Sequence, residues 1–305
     1  MITHKVVLVL GAGASMPFGF PSGYELKTQI IHELNPANDR IALSNLLSGG
    51  FDAREIEMFR TALHKSGKRS VDAFLEHRPD FIKVGKAATA CLLMPCENEE
   101  RLFAEGQPSW YEYLFGKLIA PFEEFERNSV SVLTFNYDRS LEQYLFTALR
   151  NSYGQTESEC AKKLRSLPII HLYGQLGELP ALRQEGIEYG APVNAENLRS
   201  AAGAIQIIHE DVKDKPQFQR AYKLLQDADR ICFLGFGYDQ TNLTRLSGYG
   251  PRRQQLVYGC AKGLTARECY FVQEQLKELG YGDNYSLQFM SEDALEFLRN
   301  CCPFD

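Results

Sequence analysis

The sequence predicts an α/β fold: a Rossmann-like parallel sheet with helices on both faces and an inserted helical subdomain. Three observations lead there. Val6 to Leu10 is a continuous apolar, β-branched run closed by Gly11, the pattern of a central parallel strand covered on both faces. From Val130 onward, similar short runs alternate with stretches of helical periodicity, which implies βα units and a parallel sheet. Between these regions, residues 36–127 carry helical patterns and no convincing strand. They read as a helical insertion within a single domain spanning residues 1–305.

The elements follow in order. After the first strand, Gly23 to Leu34 places Leu26, Ile30, Ile31 and Leu34 on one helical face before Asn35-Pro36 interrupts it. Within the insertion, Arg54 to His64, Val71 to Phe81 and Tyr111 to Glu126 have helical spacing. Val132 to Phe135 is a strand and Ser140 to Arg150 a helix; Pro168 to Leu172 is a strand. Gln175 to Val193, rich in Gly and Pro, is loop. Helices over Ala195 to Glu210 and Gln217 to Gln226 precede a strand at Ile231 to Leu234. A strand at Gln255 to Tyr258, a helix from Thr265 to Leu279, a strand at Ser286 to Phe289 and a helix from Asp293 to Arg299 complete the alternation.

Composition narrows the function classes. A net charge of -6 gives no basic field of the kind that marks a nucleic-acid surface, and Lys65, Lys68 and Arg69 read as a solvated loop. No long uncharged apolar run and no signal peptide is readable, so a cytoplasmic protein without membrane association is expected. The eight cysteines form no CxxC pair: Cys91 and Cys96 fall near a helix end, Cys232 in a strand, and Cys301 and Cys302 at the tail. Reduced, mostly buried thiols and no metal site are therefore expected.

Four segments carry the functional signal: VVLVLGAGAS, LTFNYD, IIHLYGQLG and ICFLGFGYDQTN. Each is an apolar run entering a polar or glycine-rich turn, and in an open α/β sheet such turns converge on one crevice at the carboxyl ends of the strands. Gly11 and Gly13 permit a tight turn and close approach of a ligand, with Ala12 between them, and the amides of a following helix could face a pyrophosphate. Ser15 would add a hydroxyl donor. Met16 replaces the third glycine of GxGxxG, which disfavours an ordinary dehydrogenase and leaves a structural tight turn as the alternative. Asn136 and Asp138 follow a strand directly, although Asp138 equally suits a helix cap or Asx-turn. His171 is the histidine at a strand end with a glycine turn beyond it, and it reads either as a base or as a satisfied core residue. His4, His32, His64, His77 and His209 read as surface residues.

Taken together, the segments resemble the sirtuin family. The resemblance lies in Gly11-Ala12-Gly13-Ala14-Ser15, in Asn136 and Asp138 of TFNYD, in His171 of HLYG and in Gly235-Phe236-Gly237, in matching order along nearly the whole chain. Phe135 stands where deacylating sirtuins usually have Gln, and no cysteine lies between His171 and Cys232, where their zinc module has two pairs. VDAFLEH in the insertion, the NYD form and FPSG after the glycine turn look instead like sirtuin-like effectors of bacterial anti-phage systems, which typically hydrolyse NAD+ and starve the infected cell. What the resemblance implies is an NAD+ glycohydrolase with NAD+ as substrate and no metal, regulated by homo-oligomerisation or by a partner such as a helicase-like ATPase or a short Argonaute.

On that expectation the roles are chemical. Nicotinamide leaves NAD+ as a neutral ring, so the enzyme need only hold the ribose, stabilise an oxocarbenium-like centre and present water. Asn136 would orient ribose hydroxyls and water through its amide, His171 would act as the base, and Asp138 would support the loop. The glycine turn would take the pyrophosphate, with Gly235, Phe236, Gly237 and Asp239 toward the adenosine. The alternatives are an NAD-dependent protein deacylase, a non-catalytic nucleotide-sensing or assembly subunit, and a nuclease subunit, for which no dense carboxylate cluster is readable.

Overall fold

The structure, a computed structural model, describes residues 1–38, 40–106, 108–208, 212, 214–247, 255–279, 289–290, 293–300 and 304. Among them, six strands form one parallel sheet in the order β3-β2-β1-β4-β5-β6: β1 Val6–Leu10, β2 Val130–Thr134, β3 Ile169–His171, β4 Arg230–Leu234, β5 Leu256–Cys260 and β6 Phe289–Met290. All five residues of β1 are buried, because a central strand flanked on both edges and covered on both faces has no solvent side. The expected Rossmann-like class is the fold the chain adopts. Strand order reverses between β1 and β4, which is where such sheets open a crevice beyond the strand ends.

Register places the four motif segments side by side. Leu10 pairs with Thr134 on one flank and with Leu234 on the other, and Thr134 pairs with His171. The residues that follow, Gly11, Phe135, Leu172 and Gly235, thus leave the sheet at one level.

Helix α1, Gly23–Glu33, follows β1. The insertion contributes α2 Ile41–Ser48, α3 Ala53–Lys65, α4 Val71–Leu75, α5 Ile82–Leu93, α6 Glu99–Leu102 and α7 Trp110–Leu118. Beyond β2 come α8 Ser140–Tyr153 and α9 Glu157–Arg165. Then α10 Ala195–Ala204 and α11 Pro216–Asp227 lead to β4, and α12 Gln240–Leu246, α13 Ala266–Glu278 and α14 Ala294–Asn300 follow. Several starts are set by side-chain caps: Ser22 with Glu25, Thr156 with Glu159 and Thr265 with Glu268 form reciprocal capping boxes. No helix among the described residues is long and apolar enough to cross a membrane.

The differences from expectation have local causes. The helix expected over Val71 to Phe81 stops at Leu75; Arg78 leaves the helical region ahead of Pro79, which starts a short 3-10 turn. The helix expected from Tyr111 to Glu126 ends at Leu118, since Pro121 follows closely, and Phe122–Arg127 is a separate 3-10 segment. Helix α10 ends at Ala204 because Ile205 turns extended and bridges Gly174, while Gln206 N–H donates to Tyr173 O at 2.8 Å. His4, His32, His64 and His77 are exposed as expected. His209, Glu210, Cys301, Cys302 and all of the expected Ser286 to Phe289 strand before Phe289 lie outside the described residues. The six described cysteines carry free thiols, and burial pushes Cys91 up to about 11.

Candidate active site at the carboxyl edge of the sheet

The glycine turns of β1 and β4 are shaped by each other. Gly11 N–H donates to Leu234 O at 3.0 Å and Gly13 N–H to Gly235 O at 2.9 Å. A Cβ on Gly11 would stand 2.7 Å from Gly235 O, and one on Gly13 2.8 Å from Gly235 Cα. On Gly235, whose φ is +56°, a Cβ would meet Ala14 N at 2.0 Å. Sequence reasoning assigned the freedom of Gly11 and Gly13 to ligand approach; the structure uses it for backbone-to-backbone packing across the switch point. Nor does a helix stand directly behind the turn. Two 3-10 turns, Ala12–Ala14 and Met16–Phe18, intervene, and the capping box of α1 closes the Ser22 and Glu25 amides. Trp110 of α7 fixes the turn from the insertion side by donating from Nε1 to Ala14 O at 2.8 Å.

Asn136 is the hub between segments. Its Nδ2 donates to Gly11 O and to Ser15 Oγ, each at 3.0 Å, while its backbone N–H donates to Thr134 Oγ1. Its Oδ1 accepts no hydrogen bond within the described residues, so the amide offers a ligand an acceptor and not a donor. The Ser15 hydroxyl, expected to face a phosphate, is buried, accepts from Asn136 Nδ2 and helps to lower the pKa of Asp138. Asp138 also accepts from Ser140 N–H at 3.2 Å and from the Ser140 hydroxyl, whose oxygen in turn lies 2.6 Å from Tyr111 OH. Burial raises the Asp138 pKa against these hydrogen bonds. Asp138 therefore supports the loop through an Asx-turn, and the N-cap position of α8 falls to Arg139.

His171 meets a partner that sequence reasoning missed. Nδ1 lies 2.9 Å from Asn136 O and Nε2 lies 2.6 Å from Glu142 Oε1; the two side chains are 7% and 8% exposed. A carbonyl can only accept, so Nδ1 carries a proton, and the carboxylate favours a second one on Nε2. Burial, the largest influence, pulls the imidazole pKa down, but Glu142, the Asn136 carbonyl and the Asp138 charge together leave it raised. Both ring nitrogens are thus engaged within the fold, Nδ1 by the Asn136 carbonyl and Nε2 by Glu142. Glu142 lies in SLEQYL, buried on a helix whose neighbours Leu141 and Leu145 are core. A carboxylate on the apolar face of the helix after the NYD turn was the available signal.

His171 and Glu142 line a cavity of ≈ 770 Å³ beside the free edge of β3, with Gln175, Gln206 and Gln217 on other walls. That volume lies within the range of ligand pockets, about 300–1,000 Å³. Gly11, Gly13, Ser15, Asn136, Gly235 and Gly237 do not line it. The structure thus brings the expected residues together as two adjoining parts, the glycine turns with Asn136 and the His171–Glu142 pair, joined through the peptide of Asn136.

Toward the expected adenosine side, Phe236 is buried against Phe135 and Phe233. Gly237 is exposed, and a Cβ there would meet open space. Asp239 caps α12 by accepting from Thr241 and Asn242 N–H. The insertion reaches the same edge. Asp72 of α4 accepts from Tyr137 OH, and Glu76 pairs at 2.8 Å with Arg245, which also donates to Tyr173 OH. A fully buried Arg139–Glu97 pair, bidentate at 2.9 and 2.6 Å, adds bonds from Arg139 to the carbonyls of Ile187 and Glu188 and so pins the loop over the cavity.

No protein-family model matches this chain, and no curated protein shows significant similarity to it.

Proposed function

We propose that the chain is an NAD+ glycohydrolase that converts NAD+ and water to nicotinamide, ADP-ribose and a proton, serving as a bacterial anti-phage effector that depletes NAD+. The observation that carries the reading is the hydrogen-bonded path from Gly11 and Ser15 through the Asn136 side chain, and from the Asn136 carbonyl to His171. Residues far apart in sequence gather along the carboxyl edge of a Rossmann-like sheet, Gly11 beside the switch point and His171 two strands away in the wall of a cavity of suitable size.

Each residue has a task on this reading. Asn136 Oδ1 accepts from a ribose hydroxyl or the attacking water. His171 can take up a proton only after its Nε2 proton passes to Glu142, so the pair acts as one acid–base unit. The glycine turns lie where the pyrophosphate is held at the switch point of other such sheets. The protein would act in the cytoplasm as a homo-oligomer or with a helicase-like ATPase or short Argonaute.

One observation favours a second reading, a non-catalytic nucleotide-sensing or assembly subunit: the Ser15 hydroxyl and both His171 nitrogens are already engaged within the fold. Chromatography of NAD+ incubated with the purified protein, alone and in its native complex, separates the two. Equimolar nicotinamide and ADP-ribose support hydrolysis; NAD+ binding without products supports the sensor, and O-acyl-ADP-ribose from an acylated peptide would mark a deacylase.

A further inference from the structure

A second cavity, of ≈ 280 Å³, lies between α5 and α10 on the insertion side of the molecule. Its walls are apolar, with Phe51, Ile82, Leu198 and Ala202 among them, and its polar lining side chains are Lys83, Lys86 and Arg199. Among the described residues no acidic side chain lines it. Lys83 and Arg199 are exposed and make no hydrogen bond or ion pair within the described residues. The Lys86 ammonium is half-buried, its one partner the carbonyl of Gly203 at 3.5 Å, and burial holds its pKa below the ordinary lysine value.

Nothing in the fold requires this arrangement. Lys83 and Lys86 stand three residues apart on one helix, where like charges repel, and Arg199 brings a third positive charge from the facing helix. A charge drawn toward an apolar interior without a counter-charge is unfavourable. In a chain of net charge -6, three cations around one apolar hollow without a carboxylate are not a consequence of composition. Concave apolar surface with a few converging polar groups is the usual form of a small-molecule site.

We propose that this cavity binds a small organic anion with an apolar body, the body lying against Phe51, Leu198 and Ala202 and the carboxylate or phosphate end between Lys83, Lys86 and Arg199. At about 30 Å³ per water-sized group, the volume suits a body and head on the order of ten non-hydrogen atoms, the size of a medium-chain carboxylate. The site is separate from the His171 cavity, although α10 forms a wall of both: Ser200 and Ala204 face one, Leu198 and Ala202 the other. The proposal does not depend on NAD+ chemistry.

The test is direct binding to the full chain by titration calorimetry, with sodium octanoate as probe and 1-octanol and octylamine as neutral and cationic controls. Saturable one-site binding of octanoate is expected, at least tenfold tighter than octanol, with none for octylamine. Ala202→Trp, which fills the hollow, should abolish binding, and Lys86→Gln should weaken it about tenfold, or about 1.4 kcal/mol. Thermal melting checks that each variant is folded, and Lys83→Glu, at an exposed position, provides a variant without a packing role that should also weaken binding. Equal binding of octanol and octanoate, or octanoate affinity unchanged in Ala202→Trp and Lys83→Glu, overturns the proposal.

Discussion

His171 Nε2 and Glu142 Oε1 are 2.6 Å apart inside the protein, and the opposite ring nitrogen holds the carbonyl of Asn136 at 2.9 Å. One imidazole therefore ties the end of β3 to the turn after β2 and to helix α8. Its charge state is thereby linked to the stability of the fold.

Replacing Glu142 with Gln should lower the His171 pKa and destabilise the protein in a pH-dependent manner. Because the folded-state pKa of His171 is raised, the pair's contribution is fully present below the ordinary histidine value of about 6.5 and is lost as pH rises through the raised value. The stability gap between wild type and Glu142→Gln should thus be larger at about pH 6 than at about pH 9. Denaturant unfolding at the two pH values, with the His171 ring resonance followed by NMR, checks this. A gap that widens with pH would show that His171 is buried neutral.

His171→Gln should eliminate NAD+ hydrolysis while NAD+ still binds. The Gln amide preserves hydrogen bonding to Asn136 O or Glu142 but cannot shuttle a proton, so the loss appears in kcat and not in KM. A folded variant with near-normal turnover removes His171 from the mechanism.

Asn136→Ala should have two separable effects. Loss of the bonds from Nδ2 to Gly11 O and Ser15 Oγ should lower stability by about 1–3 kcal/mol. Loss of Oδ1 should lower kcat by about 10²-fold or more, beyond what unfolding explains. Melting temperature and single-turnover rate measured on one preparation distinguish them; proportionate, mild losses in both would make Asn136 a scaffold residue only.

The two glycines of the β4 turn should respond oppositely to Ala. Gly235→Ala requires a Cβ 2.0 Å from Ala14 N at a φ of +56°, so it should prevent folding or destabilise by more than about 1 kcal/mol, where Gly→Ala at a compatible backbone position stabilises. Gly237→Ala enters open space and should leave the melting temperature nearly unchanged. If NAD+ lies against this turn, only its KM should rise.

Glu97→Ala should destabilise by about 3–5 kcal/mol, since it leaves the Arg139 guanidinium buried with only carbonyl partners. The removal of both charges in Glu97→Ala with Arg139→Met should cost less than Glu97→Ala alone. Urea unfolding of the single and double variants measures the difference.

The order of strands and helices was legible in the sequence because hydrophobic periodicity and caps are local: VVLVL can only be a strand buried on both faces, and Ser22 with Glu25 marks the start of α1 wherever that helix packs. The gathering of Gly11, Asn136, His171 and Gly235 at one edge was legible for the same reason, since parallel strands share their carboxyl ends. What each residue does there was not. Whether Gly13 faces a ligand or Gly235, whether the Ser15 hydroxyl points to solvent or to the Asn136 amide, and whether His171 is free or held by Glu142 depend on atoms that are distant in sequence and brought within 3.0 Å by packing. Hydrogen bonding and burial are properties of those neighbours, so tertiary structure alone decided that the glycines close on each other and that the histidine is held between the Asn136 carbonyl and the buried Glu142 side chain.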